Sequence, residues 1–233
     1  MAAKNGSMEQ YLAPTDVIDS DHPDIIDLAR SLTAGASNDA ERASRLFYHA
    51  RDAVRYNPYS PFHHPDFYRA STVLKRGYGY CIQKAVVCAA LGRAVHIPTR
   101  LGFADIQNHQ LPKKLLELQG TDIIYSHGFT EFFIDGKWRK ATPAFNIEMC
   151  DRLGLVPVEF DGIHDGVFPM YDRSGKLSIE YLKDVGHWPD LPFDHIIDAF
   201  HRLFGEERMK IFMALIDEHG FDQAMTLLGA GTE

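Results

Sequence analysis

Residues 79–100 read GYCIQKAVVCAALGRAVHIPTR, and the architecture follows from how this stretch folds. From Cys81 to about Val95 it is apolar or small on nearly every side, the pattern of a helix buried all round rather than on one stripe. Pro98 ends it. Gly77 and Gly79 make a flexible approach, so Cys81 falls at the helix N-terminus. A thiol there is expected to have a lowered pKa, because the terminal N–H groups and the helix dipole favour the thiolate. The same N–H groups can receive an oxyanion when sulfur attacks a carbonyl. Cys88, two turns deeper, is expected to be an inert core thiol, and Cys150 has no supporting pattern. Seven residues of helix separate Cys81 from Cys88 by about 10.5 Å, beyond the ~7 Å limit for a bridge. Three cysteines are too few for a disulfide framework, and reduced thiols follow.

A nucleophilic sulfur needs a base, and the next informative stretch is residues 127–146, HGFTEFFIDGKWRKATPAFN. Residues from Ile123 to Ile134 alternate as a strand. Asp135-Gly136 is a two-residue hairpin signal, with Trp138 to Thr142 returning. That turn pairs Ile134 with Lys137, Phe133 with Trp138, Glu131 with Lys140 and His127 with Ala144. Glu131 opposite Lys140 favours this register. His127 then shares a face with Phe129, Glu131 and Phe133, with Thr142 as a diagonal neighbour and Asn146 as another if pairing survives Pro143.

Working outward, a helix begins at Asn38, a suitable N-cap three residues before Glu41. Its apolar stripe is Ala43, Leu46, Phe47, Ala50 and Val54, and Pro58 stops it. Residues 56–67 read as an irregular aromatic loop, and an ordered start falls near Asp21. The region up to Pro192 reads as loop-rich. A helix follows with Phe193, Ile196, Ile197, Phe200, Leu203 and Phe204 on one face, closed by Gly205, and a further helix carries Met209, Phe212, Met213 and Ile216.

The 233 residues carry 24 basic and 32 acidic side chains, a net charge of -8 with no basic cluster, which disfavours a nucleic-acid partner. The longest apolar run, Ala85 to Leu91, is far short of the ~20 residues that cross a bilayer, and the polar start lacks a signal-peptide core. No membrane partner and a cytoplasmic location are expected. One domain over residues 1–233 is expected, with a core of about 38–146 and a C-terminal extension of about 151–233.

Gly79 to Ala85, then Ala89 to Ala94 and Ile97 to Arg100, resemble the cysteine motif of the transglutaminase-like superfamily. His127 to Phe132, with Gly136-Lys137-Trp138, resembles its histidine motif, and Ala53 to Tyr56 resembles the end of the helix that precedes the core. The resemblance implies an α+β fold with a papain-like core, a cysteine helix packed on an antiparallel sheet, and a helical C-terminal extension. It implies acyl transfer through a cysteine thioester on a peptide or protein substrate, protease- or amidase-like hydrolysis foremost, with no cofactor and no metal. The nucleophile position is Cys81 and the base position His127. The family's aspartate follows the tryptophan by four residues, and Thr142 stands there. A hydroxyl can accept the ring N–H but carries no charge. Asn146 is the alternative orienting group, and a degenerate module that binds a peptide or protein without turnover is the alternative function. His96 also departs from the family, which has glycine before Ile-Pro.

His63-His64-Pro65-Asp66 invites a metal reading, against which exposed loop residues are the simpler expectation. Asp161, His164 and Asp165 suit a turn. His195 and His201 fall on the polar face of their helix and need no function.

Overall fold

A computed structural model describes residues 8–227. Helix α1 (Pro23–Thr33), helix α2 (Asp39–Asp52), strand β1 (Arg55–Tyr56), helix α3 (Ala70–Arg76) and strand β2 (Tyr78–Gly79) lead to helix α4 (Cys81–Ala94). Strand β3 (Thr99–Asn108), helix α5 (Lys113–Gln119), strand β4 (Ile123–Ile134) and strand β5 (Lys137–Ala141) follow. Helix α6 (Ile147–Leu153), strand β6 (Ile179–Trp188) and helices α7 (Phe193–Phe204), α8 (Glu206–His219) and α9 (Phe221–Leu227) complete the described residues. The fold is α+β, with a cysteine-bearing helix on an antiparallel sheet of order β5-β4-β3-β6.

Helix α4 packs on β3 and β4 on one side and on α1, α2 and α3 on the other, which is why an all-round apolar sequence is stable there. Every residue from Cys81 to Arg93 is buried. Two glycines set the distance to the sheet. A Cβ on Gly92 would lie 2.6 Å from the Thr99 methyl and 2.8 Å from the Phe132 ring, and one on Gly128 would lie 2.8 Å from the Ile82 side chain and 3.0 Å from its Cα. The helix begins with Gln83 Oε1 accepting the Tyr80 N–H at 3.2 Å. It closes on Ile97 N–H donating to the Gly92 carbonyl at 3.0 Å, with exposed His96 at φ 62°. That left-handed conformation is the one glycine adopts most readily.

Asn38 caps α2 as expected, its Oδ1 accepting the Glu41 N–H at 2.9 Å, and the whole predicted stripe from Ala43 to Val54 is buried. Lys84 fastens α2 to α4. Fully buried, it donates to the carbonyls of Arg51 at 2.7 Å and Val54, and so satisfies groups left open at the C-terminus of α2. Burial drives its pKa down to about 7.

The hairpin register is the predicted one, with Asp135 and Gly136 at φ 49° and 78° in the turn. Pairing stops at Ala141, however, and the Thr142 N–H bonds Gly166 instead, so His127 does not pair with Ala144. Glu131 also chooses another partner than Lys140. Arg100, opposite it on β3, contacts it at 2.5 Å and His187 on β6 at 2.8 Å, while Lys140 reaches Asp184. Reading one hairpin cannot foresee the strands on its other edge.

The expected helical extension is present as α7–α9, but β6 precedes it in a region expected to be loop, joining the sheet beside β3. Its charged sequence and the two register shifts in its pairing hid the period. The buried Val17 and Ile18 lie ahead of the expected ordered start near Asp21, and helix α1 adds to the core ahead of residue 38.

Lys84→Met removes a donor from two buried carbonyls and is expected to cost about 2–4 kcal/mol, read as a lower urea midpoint at unchanged slope.

Candidate active site

Cys81 is the first residue of α4 and is 6% exposed. Three backbone N–H groups favour its thiolate: its own, that of Ile82, and that of Gly128, the residue after His127. The close packing of Ile82 on Gly128 brings the start of the helix to this strand. The expected lowering of the thiol pKa does not occur. Burial is the larger effect and pushes it up to about 11, with the three donors pulling the other way. Cys88 is wholly buried and pushed up to about 12, in keeping with an inert core thiol.

His127 stands on β4 opposite Ala104, directly after Ser126, which holds a left-handed φ of 55°. The Asp105 carboxylate accepts the Ser126 N–H at 2.9 Å, where the register of β3 and β4 shifts. The His127 ring packs 5.0 Å from that of Phe168, and its buried Nε2 has no hydrogen-bond partner among the described residues. Burial pushes its pKa down to about 3, so the resting imidazole is neutral. Cys81 and His127 line one cavity of about 520 Å³.

Thr142 is fully buried, and its Oγ1 is likewise without an ordinary hydrogen bond. Its hydroxyl neighbour is Tyr181 of β6, which accepts the Phe168 N–H at 3.3 Å. The other orienting candidate is engaged elsewhere: Asn146 Oδ1 accepts the Tyr56 N–H at 3.2 Å.

Tyr181 was invisible in the sequence because β6 was. Ser126, Asp105 and His195 were missed as well. His195, expected to be an idle polar-face residue, has Nε2 2.9 Å from Ser126 Oγ and stacks on Trp188 with ring centroids 5.1 Å apart. It thus ties α7 to the strand next to His127, and no local pattern announces a pairing across 69 residues.

The histidine-rich loop has local employment. His63 stacks on Phe221, and His64 Nδ1 accepts the Asp66 N–H. Asp161 accepts the N–H groups of Ile163 and His164 at 2.8 Å each, an Asx turn. Among the described residues, no group of three or more His, Cys, Asp or Glu side chains is placed to hold a metal ion. No described helix is long and apolar enough to cross a membrane.

A model of the transglutaminase-like superfamily matches residues 26–143, just over half of the chain and both motif stretches. The chain belongs to the transglutaminase-like superfamily. Solved structures similar to this superfamily member include a "putative cysteine protease" from Cytophaga hutchinsonii, at 17% identity and TM-score 0.47, covering 78% of this chain and 53% of that one. A "putative protease" from Parabacteroides distasonis has 17% identity and TM-score 0.40, over 58% of this chain and 25% of that one. The chain thus spans about half the length of the first and a quarter of the second. No curated protein matches.

The buried neutral imidazole predicts a pH dependence. The folded state binds a proton at His127 less readily than the unfolded chain, whose histidine has the ordinary value near 6.5, so stability is lost as pH falls from 6.5 towards 3. His127→Asn is expected to flatten the urea-midpoint profile between pH 6 and 4 relative to the parent, by at most about 1.4 kcal/mol per pH unit.

Proposed function

We propose that this protein is a cysteine acyl-transfer enzyme of the transglutaminase-like type, acting foremost as a protease- or amidase-like hydrolase on a peptide or carboxamide. The observation that carries the reading is the placement of the Cys81 sulfur beside the Gly128 N–H, in the cavity that His127 also lines, in a chain of this superfamily.

The Cys81 Sγ forms a bond to the substrate carbonyl carbon, and its proton passes to His127. With Nε2 buried, Nδ1 is the nitrogen left for that proton. The N–H groups around the sulfur receive the developing oxyanion. Collapse of the tetrahedral adduct breaks the carbon–nitrogen bond, His127 returns the proton to the leaving amine, and a thioester remains. Water, deprotonated by the same imidazole, attacks the thioester carbonyl, releasing the acid and the Cys81 thiol.

The resting pair is a neutral thiol and a neutral imidazole, since burial disfavours both charges. Thr142 in the place of the family's aspartate gives the imidazolium no charge to face. Proton transfer is therefore uphill and coupled to attack, and a slow enzyme follows. The same two facts favour the second reading, a module that binds a peptide without turnover.

Incubation with an activated ester is expected to leave an acyl group on Cys81, seen by mass spectrometry, and not on Cys88 or Cys150. His127→Ala is expected to slow this acylation at least a hundred-fold. A parent protein that never acquires the acyl group is the binding module instead. Iodoacetamide labelling of Cys81 is expected to keep accelerating with pH beyond 9, tracking a thiol pushed up to about 11. Thr142→Asp supplies the missing charge, and kcat/KM is expected to rise at least ten-fold, with the acid limb of its pH profile moved upward.

A further inference from the structure

We infer that the acyl donor carries a long alkyl chain, held along the wall that α5, α7 and α8 build over Cys81; this rests on the acyl-transfer reading above. The cavity of about 520 Å³ falls within the range of small-molecule sites. Its wall is formed by Leu115 of α5, Ile196, Ala199 and Phe200 of α7, and Phe212 of α8, facing Ile124 of β4. Helices α7 and α8 lie beyond residues 26–143, so the superfamily core supplies the thiol and the extension supplies much of this wall.

Several polar side chains on the lining are already engaged by the protein. Ser126 Oγ meets His195, Ser60 Oγ donates to the Asn57 carbonyl, and the Arg208 guanidinium donates to the Leu118 carbonyl. Backbone N–H groups of Cys81, Ile82 and Gly128 favour the thiolate of the sulfur that lines the same cavity. A ligand that matches this distribution is polar at its reacting carbonyl and apolar beyond it. Each methylene taken out of water tightens binding about four-fold, so affinity and rate climb with each carbon until the wall ends. A peptide with a polar backbone every third atom would leave its amides unpaired along the wall.

The experiment separates binding from chemistry. Cys81→Ala protein is titrated with a dansyl-labelled dodecanamide, and the probe is displaced with unlabelled dodecanamide, hexanamide and acetamide. Parent protein is assayed in parallel on acetyl, hexanoyl and dodecanoyl esters and on a polar peptide amide. Saturable binding is expected, with dodecanamide displacing the probe at least a hundred-fold better than acetamide and with kcat/KM rising along the ester series. Ala199→Phe, which fills the wall without making it polar, is expected to weaken dodecanamide at least ten-fold at an unchanged melting temperature. Ile196→Ala, which widens it, gives a second measure if the filled variant melts early. Turnover of acetyl ester or peptide with no probe binding and no chain-length dependence overturns this inference and leaves the acyl-transfer reading standing. Chain-length-dependent binding by a parent protein that forms no acyl-enzyme upholds the alkyl site and overturns the thiol chemistry.

Discussion

The contact between Ile82 and Gly128 is the constraint on which the site depends. With no Cβ at position 128, the first turn of α4 rests against the backbone of β4, and the Gly128 N–H favours the thiolate of the sulfur that the helix carries. Gly92 repeats the arrangement two to three turns away against Thr99 and Phe132, so the helix is held at both ends at one distance from the sheet. Lys84 then fixes its other side by bonding the carbonyls at the end of α2. A thiol, an imidazole and a set of backbone donors share one cavity because these contacts leave the helix no freedom to slide.

That same tight packing governs the charge state of the thiol and the imidazole. A helix N-terminus lowers a thiol pKa when the thiol is partly hydrated, and here the removal of water outweighs the three N–H donors. The imidazole suffers the same loss, with its Nε2 unpartnered among the described residues, and the Thr142 hydroxyl neighbours Tyr181. In the proposed reaction charge arises only during turnover, and a substrate that itself excludes water suits such a site. The apolar wall beside it is consistent with that demand.

Local patterns were legible where they act over short distances. The Asn38 cap, the stripe of α2, the buried run from Cys81, the Asp135-Gly136 turn and its register as far as Ala141 all rest on residues within a few positions of one another, and these are found. Partners chosen across the sheet were not legible. Glu131 pairs with Arg100 and His187 rather than Lys140, β6 passed for a loop because bulges and charges blur its alternation, and His195 finds Ser126 from a helix far along the chain.

The sequence by itself marked the candidate site residues and roughly where each lies on its element: the cysteine opening a helix, the histidine on a hairpin strand, and threonine four residues after the tryptophan. Tertiary structure alone decided their electrical state and their company. Desolvation depends on every atom packed around a group, whatever its distance along the chain, so the neutral thiol and imidazole, the capture of Asn146 by Tyr56, and the apolar wall lent by the C-terminal helices exist only once the layers have closed.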